Sequence, residues 1–120
     1  PSDGKTRNRI DKVNTNSKIP SMDIRFHLNG TDFVWDDRKA ASNRSKHDGV
    51  TFEQAATVFF DPLFRLMDAE RNNEARDAIM GFDAVGRLLF VVHIQFEDAA
   101  IRIISARRAT SHERQDHEHY

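Results

Sequence analysis

Arginine side chains that could bind phosphate are concentrated near the end of the chain. Arg102, Arg107 and Arg108 lie within or directly after an apolar run that reads IRIISARRA, and Arg76 begins an earlier apolar run. A guanidinium group can donate two parallel hydrogen bonds to two phosphate oxygens, and a strand would hold it rigidly. The sequence therefore predicts a phosphate-binding surface beside a sheet.

Side chains that could transfer a proton form a second set. The candidates are His93, His47, Lys46, Glu74 and His117. A histidine titrates near neutral pH, so it can act as an acid or as a base. Glu74 lies in a polar stretch where a carboxylate is usually solvated.

Several of these candidates also have a purely structural alternative. His93 follows four apolar residues and could be a hydrogen-bonded core histidine. Lys46 and His47 could satisfy the last carbonyl groups of a helix, where cations are favoured. Arg107 could form an ion pair with Glu113 or Glu118 across the following turn.

The elements that must position these residues include two long strands. Alternating residues predict strands at Leu88–Phe96 and Ile101–Ala106, joined by a turn at Glu97-Asp98. The first strand is apolar on both sides, as expected of a central strand. In the second strand two sets of residues alternate and should lie on opposite faces: Ile101, Ile103 and Ser105 in one set, and Arg102, Ile104 and Ala106 in the other.

The remaining segments predict shorter strands and three helices. The helices should begin at the caps Asp36, Thr51 and Thr110, and the last two caps belong to Thr-x-x-Gln and Thr-x-x-Glu capping boxes. The predicted shorter strands are Ile24–Leu28, Phe33–Trp35, Phe64–Met67 and Arg76–Phe82. This order predicts an α+β fold, a small antiparallel sheet with two N-terminal helices and a short C-terminal helix, with the helices on one face of the sheet.

A stripe of basic and polar side chains runs along one side of the first predicted helix. Lys39, Asn43, Lys46 and His47 recur at helical spacing, with Arg38 just before them. The stripe is either a solvated helix face or a surface that contacts a polyanion.

Composition limits the possible classes. The chain has 120 residues, a net charge of -1 and no cysteine, which predicts one domain, over residues 22–120, and no disulfides. Residues 1–21 carry five Lys or Arg against two Asp and have few apolar residues. We expect them to be a disordered extension, left from cloning or upstream of a native start at Met22; the alternative is a basic arm that adds affinity for RNA. With no signal segment and no apolar run of membrane length, the expected location is the cytoplasm.

A metal site is not expected. His112, His117 and His119 lie with Asp116 and Glu118 near the chain end, but such a cluster at a terminus is a weak signal. No glycine-rich phosphate loop is present, and we expect no cofactor.

Several motifs together resemble the BrnT family of bacterial toxins. The segments are FVWDDRKAASNRSKHDGVTFEQAATVFFDP, the EAR letters at 74–76 with Gly81, then RLLFVVH and IRIISARRATSHER. The resemblance covers about Phe33 to His117. It implies a small ribonuclease with a fold like that of the RelE-type toxins, whose activity arrests growth. It also implies an inhibitory antitoxin, BrnA, encoded beside the toxin.

The implied chemistry is metal-independent RNA cleavage through attack by the 2′-hydroxyl group. Such cleavage needs a base, an acid, and cations that stabilise the phosphorane. The candidate catalytic residues are Arg107, Arg76, Arg102, His93, Glu74, Lys46 and His47. The candidate RNA-binding residues are Arg38, Lys39, Arg108 and His117. Arg107 occupies the family's ISAR position, whereas His117 stands where family members commonly carry a tyrosine.

The implied partners are an RNA substrate and a BrnA-like ribbon-helix-helix antitoxin in a 2:2 heterotetramer. DNA would be bound only through the antitoxin. The alternative is a non-catalytic RNA-binding or protein-interaction module that uses the same basic surface. A single-strand binder would be expected to expose several aromatic side chains among its cations, whereas the aromatics here lie mainly at predicted core positions. This pattern favours the nuclease.

Overall fold

The computed structural model describes residues 20–69, 76–95 and 100–119. The predictions for residues 1–19, for Glu74 and for the turn at Glu97-Asp98 lie outside this part of the chain. None of the helices in the described ranges is long and apolar enough to cross a membrane.

Six strands form one sheet in the order β1-β2-β6-β5-β4-β3. The strands are β1 (Asp23–Leu28), β2 (Thr31–Asp36), β3 (Arg65–Asp68), β4 (Asp77–Phe82), β5 (Leu88–Gln95) and β6 (Ile101–Arg108). The helices are α1 (Asp37–Lys46), α2 (Phe52–Thr57), which continues into a 3-10 turn at Val58–Phe60, and α3 (Ser111–Glu118). The α+β class is confirmed.

The sheet is mixed rather than wholly antiparallel. β2 pairs with β6 in parallel through Phe33↔Ile101 and Val34↔Arg102, while the other strand pairs are antiparallel. Parallel neighbours need a long connection, and the chain between β2 and β6 supplies it with two helices and three strands. The N-terminal hairpin β1-β2 therefore joins the main sheet.

The predicted helix caps are confirmed. The Asp36 carboxylate accepts hydrogen bonds from the backbone N–H groups of Arg38 (2.8 Å) and Lys39 (3.1 Å). Thr51 and Thr110 each begin a helix through a reciprocal capping box. These bonds satisfy amide groups that the first helical turn leaves without partners.

The helices lie on both faces of the sheet, so the predicted one-sided packing is wrong. The main core lies on the face covered by α1 and α2, where Phe33, Trp35 and Phe52 are fully buried. The rings of Trp35 and Phe52 meet edge to face at 5.8 Å. α3 instead contacts the opposite face, where His117 packs on Phe82.

A β-bulge in β6 overturns the predicted alternation of that strand. Val92 is opposite Ser105 and His93 is opposite Ile103, so Ile104 has no partner on β5. One extra residue shifts the alternation by one position. Ala106 consequently joins the buried core face, whereas Ser105 lies on the same face as Arg107.

Candidate active site

Asn43 joins the first helix to the strand that carries Arg107. β2 pairs with β6 only as far as Arg102, so the later part of this edge of β6 has no neighbouring strand in the described part of the chain. The buried Asn43 side chain fills the gap: Nδ2 donates to the Ala106 carbonyl (2.8 Å) and to the Val50 carbonyl (3.1 Å), and Oδ1 accepts from the Ala106 N–H (3.0 Å). These bonds hold the end of α1 beside β6.

A cleft of about 470 Å³ lies next to this junction, on the sheet face opposite α2. We call it the cationic cleft, and its lining residues are His47, Asp68, Ala69, Arg76, Phe90, Val92, Ser105 and Arg107. Arg107 from β6, Arg76 from just before β4 and His47 from the end of α1 meet in this cleft. Such a group of cations can bind a phosphate and oppose the charge that develops on it.

Arg107 is held rigidly in this cleft. Its guanidinium carbon lies 4.4 Å from the centre of the Phe90 ring. Its Nη1 and Nη2 atoms donate to the two carboxylate oxygens of Glu113, at 2.8 and 2.9 Å. The same carboxylate accepts the Thr110 N–H at 2.9 Å, so the ion pair is built into the cap of α3.

The ion pair changes the titration of both partners. The hydrogen bond from Arg107 lowers the pKa of Glu113 to about 2, and the bond to Glu113 raises the pKa of Arg107. Glu113 is therefore ionised at neutral pH and too weakly basic to be an effective general base. The ion pair with Glu113, which is the structural alternative for Arg107, is therefore formed. The same contact orients the Arg107 guanidinium group toward the cleft.

His47 is positioned by the end of α1. Its backbone N–H donates to the Asn43 carbonyl at 2.9 Å, and the Val50 N–H donates to the His47 carbonyl at 3.0 Å. A smaller cavity of about 170 Å³ adjoins this residue and is also lined by Lys39, Lys46 and Ser105. Lys39 and Lys46 therefore extend the basic surface beyond the cationic cleft.

His93 does not reach this cleft. It lies on the core face of β5 with 4 % of its surface exposed, and its ring packs edge to face on Phe59 at 4.9 Å. Burial lowers the pKa of His93, opposed in part by the Val91 carbonyl and the Asp77 carboxylate. The neutral imidazole is thus favoured. His93 is a core histidine as the structural alternative holds, but among the described residues its Nδ1 atom lacks the hydrogen-bond partner that this alternative includes.

Arg102 is also separate from the cleft. Its guanidinium forms a two-pronged ion pair with the Asp23 carboxylate, at 2.9 and 3.2 Å, and lowers the pKa of Asp23. Five positions separate Arg102 from Arg107 along the strand, or roughly 15 Å at the rise of an extended chain. Arg102 ties the N-terminal strand to the sheet.

The other predicted residues lie outside the cationic cleft. Arg38 and Arg108 are exposed, and the His117 ring meets Phe82 at 5.6 Å. Across the described residues, no three His, Cys, Asp or Glu side chains are placed to hold a metal ion together.

Ser105, Phe90 and Asp68 also line the cleft, although the sequence pattern does not predict them there. Ser105 was assigned to the wrong face because the bulge is not visible in the pattern. The alternation predicts Phe90 only as a core residue, although it supports the Arg107 guanidinium group. Asp68 ends a short edge strand, and nothing in the sequence distinguishes it from other exposed acids.

Comparison with known proteins identifies the class to which the chain belongs: it is a small toxin of the ribonuclease type. Residues 35–113, about two thirds of the chain, match the family model described as ribonuclease toxin, BrnT, of type II toxin-antitoxin system. The chain therefore belongs to the BrnT family. Membership implies an RNA substrate and an antitoxin partner. No curated protein matches the sequence.

A solved structure supports the fold. The crystal structure of the Brucella abortus ribonuclease toxin BrnT is similar with a TM-score of 0.51 and 19% sequence identity. The match covers 64% of this chain and 94% of the Brucella chain. At this identity the likeness shows the fold alone, and it makes BrnT-like a more accurate description than RelE-like.

Proposed function

We propose that this toxin is a metal-independent endoribonuclease whose reaction takes place in the cationic cleft. The observation that carries the proposal is the convergence of Arg107, Arg76 and His47 on one concave surface. Membership of a ribonuclease toxin family supplies the substrate class.

The 2′-hydroxyl oxygen of one nucleotide attacks its own 3′-phosphate. A bond forms between the 2′-oxygen and phosphorus, and the bond from phosphorus to the 5′-oxygen of the next nucleotide breaks. The base removes the 2′-hydroxyl proton, and the acid gives a proton to the leaving 5′-oxygen. The products are a 2′,3′-cyclic phosphate and a 5′-hydroxyl end, with no net oxidation or added water.

Arg107 and Arg76 stabilise the additional negative charge on the phosphorane. Arg107 suits this task because Phe90 and Glu113 hold its orientation before RNA binds, and preorganised charge lowers the barrier most effectively. His47 is the proton-transfer group in the cleft. Lys39 and Lys46 bind the adjoining phosphates, and exposed Arg38 and Arg108 add attraction at longer range.

The partner is a BrnA-like ribbon-helix-helix antitoxin, and the complex has two chains of each kind. Acidic groups of the antitoxin cover the cleft arginines, as in other inhibitors with complementary charge. DNA is bound only through the antitoxin, and the complex acts in the cytoplasm. The support for an antitoxin is the family description, and the support for charge pairing is the cationic cleft itself.

The deciding experiment is cleavage of single-stranded RNA by the purified protein in EDTA. We expect cleavage that leaves cyclic phosphate ends, and Arg107→Ala should reduce the rate roughly ten- to a thousandfold because a transition-state contact is lost. Arg102→Ala is the matched control, since it removes an arginine from the same strand and the same sheet face outside the cleft. Circular dichroism would establish that both variants fold.

Three results would count against the proposal. Equal rates for wild type and folded Arg107→Ala would remove this residue from the mechanism. Activity abolished by EDTA would overturn the metal-independent scheme. RNA binding without any cleavage would favour the non-catalytic module.

A further inference from the structure

Exposed apolar side chains are concentrated around the edge strand β3. Leu63 and Leu66 are each 67% exposed, and Phe60 and Phe64 are 38% and 42% exposed. β3 pairs only with β4 in the described sheet, so no described strand covers its outer edge. Proteins seldom leave an open edge beside an apolar cluster unless something binds there.

A groove runs beside this edge on the core face of the sheet, opposite the cationic cleft. We call it the β3 groove; its volume is about 700 Å³. Phe59, Phe64, Leu66 and Ile79 form its apolar surface. The volume and the apolar character are typical of a binding site.

The polar groups of the β3 groove indicate what it binds. The exposed carboxylates of Asp68 and Asp77 lie on its lining, and none of the described lining residues is Lys or Arg. At its inner wall, the Nδ1 atom of His93 is buried without a hydrogen-bond partner. This surface repels RNA phosphate and favours a ligand that combines apolar groups with a cation and a hydrogen-bonding group.

We propose that the β3 groove binds a segment of the antitoxin that presents apolar side chains to Phe64 and Leu66 and a Lys or Arg to Asp68 and Asp77. This inference rests on the antitoxin partner of the proposed function and gives that partner a second site of attachment. Asp68 also lines the cationic cleft, so one bound chain can pass around the sheet edge from one surface to the other.

A second copy of the toxin fits the groove less well. In a symmetric dimer the same patch faces itself. Asp68 and Asp77 of the two copies would then be brought together, which like charges disfavour. Charge complementarity therefore selects a cationic, apolar partner segment.

The test compares two exposed apolar residues. Leu66→Ser changes the groove, and Val85→Ser, at a residue that is 73% exposed outside it, is the control. Both residues are largely exposed, so neither change should unfold the protein. With the purified antitoxin encoded beside the toxin gene, Leu66→Ser should raise the Kd roughly tenfold or more, as loss of an interface anchor does. Val85→Ser should bind like wild type, and RNA cleavage should be unchanged in both.

A second variant tests the charge. Asp77→Lys reverses the sign of one groove carboxylate and should slow association with the antitoxin, most strongly at low salt. RNA cleavage should again be unchanged, since Asp77 does not line the cationic cleft.

The outcomes separate this inference from the ribonuclease proposal. Wild-type antitoxin affinity for Leu66→Ser would overturn the groove assignment. A second result would also overturn it. If sedimentation shows a toxin homodimer that Leu66→Ser dissociates, while the affinity for the antitoxin is unchanged, then the groove binds a second copy of the toxin. The wild-type toxin could also prove unable to cleave RNA while Leu66→Ser still weakens antitoxin binding. That result would support the groove as an antitoxin site and contradict the proposed catalytic function.

Discussion

The two faces of the sheet differ in charge and in how their side chains are held. The cationic cleft has Arg107 from β6 and Arg76 from just before β4, and Arg107 is fixed by Glu113 and Phe90. The β3 groove has carboxylates at its lining and exposed apolar side chains such as Leu66. Rigid cations suit a reaction that must stabilise charge at one place, whereas exposed apolar groups suit binding to another protein surface.

This difference assigns separate energetic roles to the two regions. Burying an exposed Leu or Phe side chain contributes about 1.5–3 kcal/mol, so Phe64 and Leu66 can supply much of the affinity for a partner. Cations at the cleft chiefly set recognition and the rate of association. Catalysis and affinity should therefore respond to different substitutions.

The largest effect is expected from reversing the charge at the end of β6. Arg107→Glu combined with Arg108→Glu should abolish RNA cleavage and the growth arrest caused by expression of the toxin alone. It should also weaken the complex, because the proposed antitoxin interface includes the same cations. Cleavage assays, growth curves and co-purification with the antitoxin measure these effects.

Comparison of the double variant with Leu66→Ser separates the role of the cationic cleft from that of the β3 groove. Charge reversal should remove activity completely and reduce affinity in a salt-dependent manner, while the groove variant should reduce affinity alone. If the charge-reversed toxin is inactive yet binds its antitoxin as tightly as before, the antitoxin does not cover the cleft.

The alternation and the caps allowed much of the fold to be predicted from the sequence. Asp36, Thr51 and Thr110 begin helices as expected, because capping depends on residues close together in the chain. The parallel pairing of β2 with β6 was not predicted, since it depends on where distant segments meet.

The candidate site was only partly predictable for the same reason. Arg107 was recognised as a phosphate-binding candidate, but the bulge at Ile104 determines that Ser105 accompanies it. The helical spacing predicts Asn43 only as one position in a basic stripe. Its bonds to Ala106 cross 63 positions of sequence, and no local pattern indicates such a contact.

A smaller effect is expected from Asn43→Ala, which tests whether the cleft depends on a rigid support. The substitution leaves the N–H and C=O groups of Ala106 and the Val50 carbonyl without this partner. Stability should fall by about 2–4 kcal/mol, because buried polar groups without partners are costly. Denaturant unfolding measures this change.

Ser42→Ala is the matched control for Asn43→Ala. Ser42 is an exposed neighbour on α1, and its loss should change stability little. RNA cleavage by Asn43→Ala should also fall at temperatures where the variant is fully folded, because His47 and Arg107 lose their common support. Stability equal to wild type would show that β6 does not need the Asn43 side chain.

The smallest effect is expected from Glu113→Gln, and it concerns the pH dependence of stability. Gln can still complete the capping box with Thr110, so the change removes mainly the charge opposite Arg107. The folded-state pKa of Glu113 is about 2, below its ordinary value of 4.5. A depressed carboxylate pKa gives stability that is complete above the ordinary value and is lost as pH falls toward the folded value. Wild type should therefore have the higher Tm near neutral pH, and the difference from Glu113→Gln should shrink between pH 4.5 and about 2. The ion pair is partly exposed, which limits the size of the effect.

Leu66→Ser, which changes the groove and leaves the ion pair intact, should follow the same pH dependence as wild type. Parallel curves of Tm against pH for wild type and Glu113→Gln would mean that Glu113 orients Arg107 without stabilising the fold.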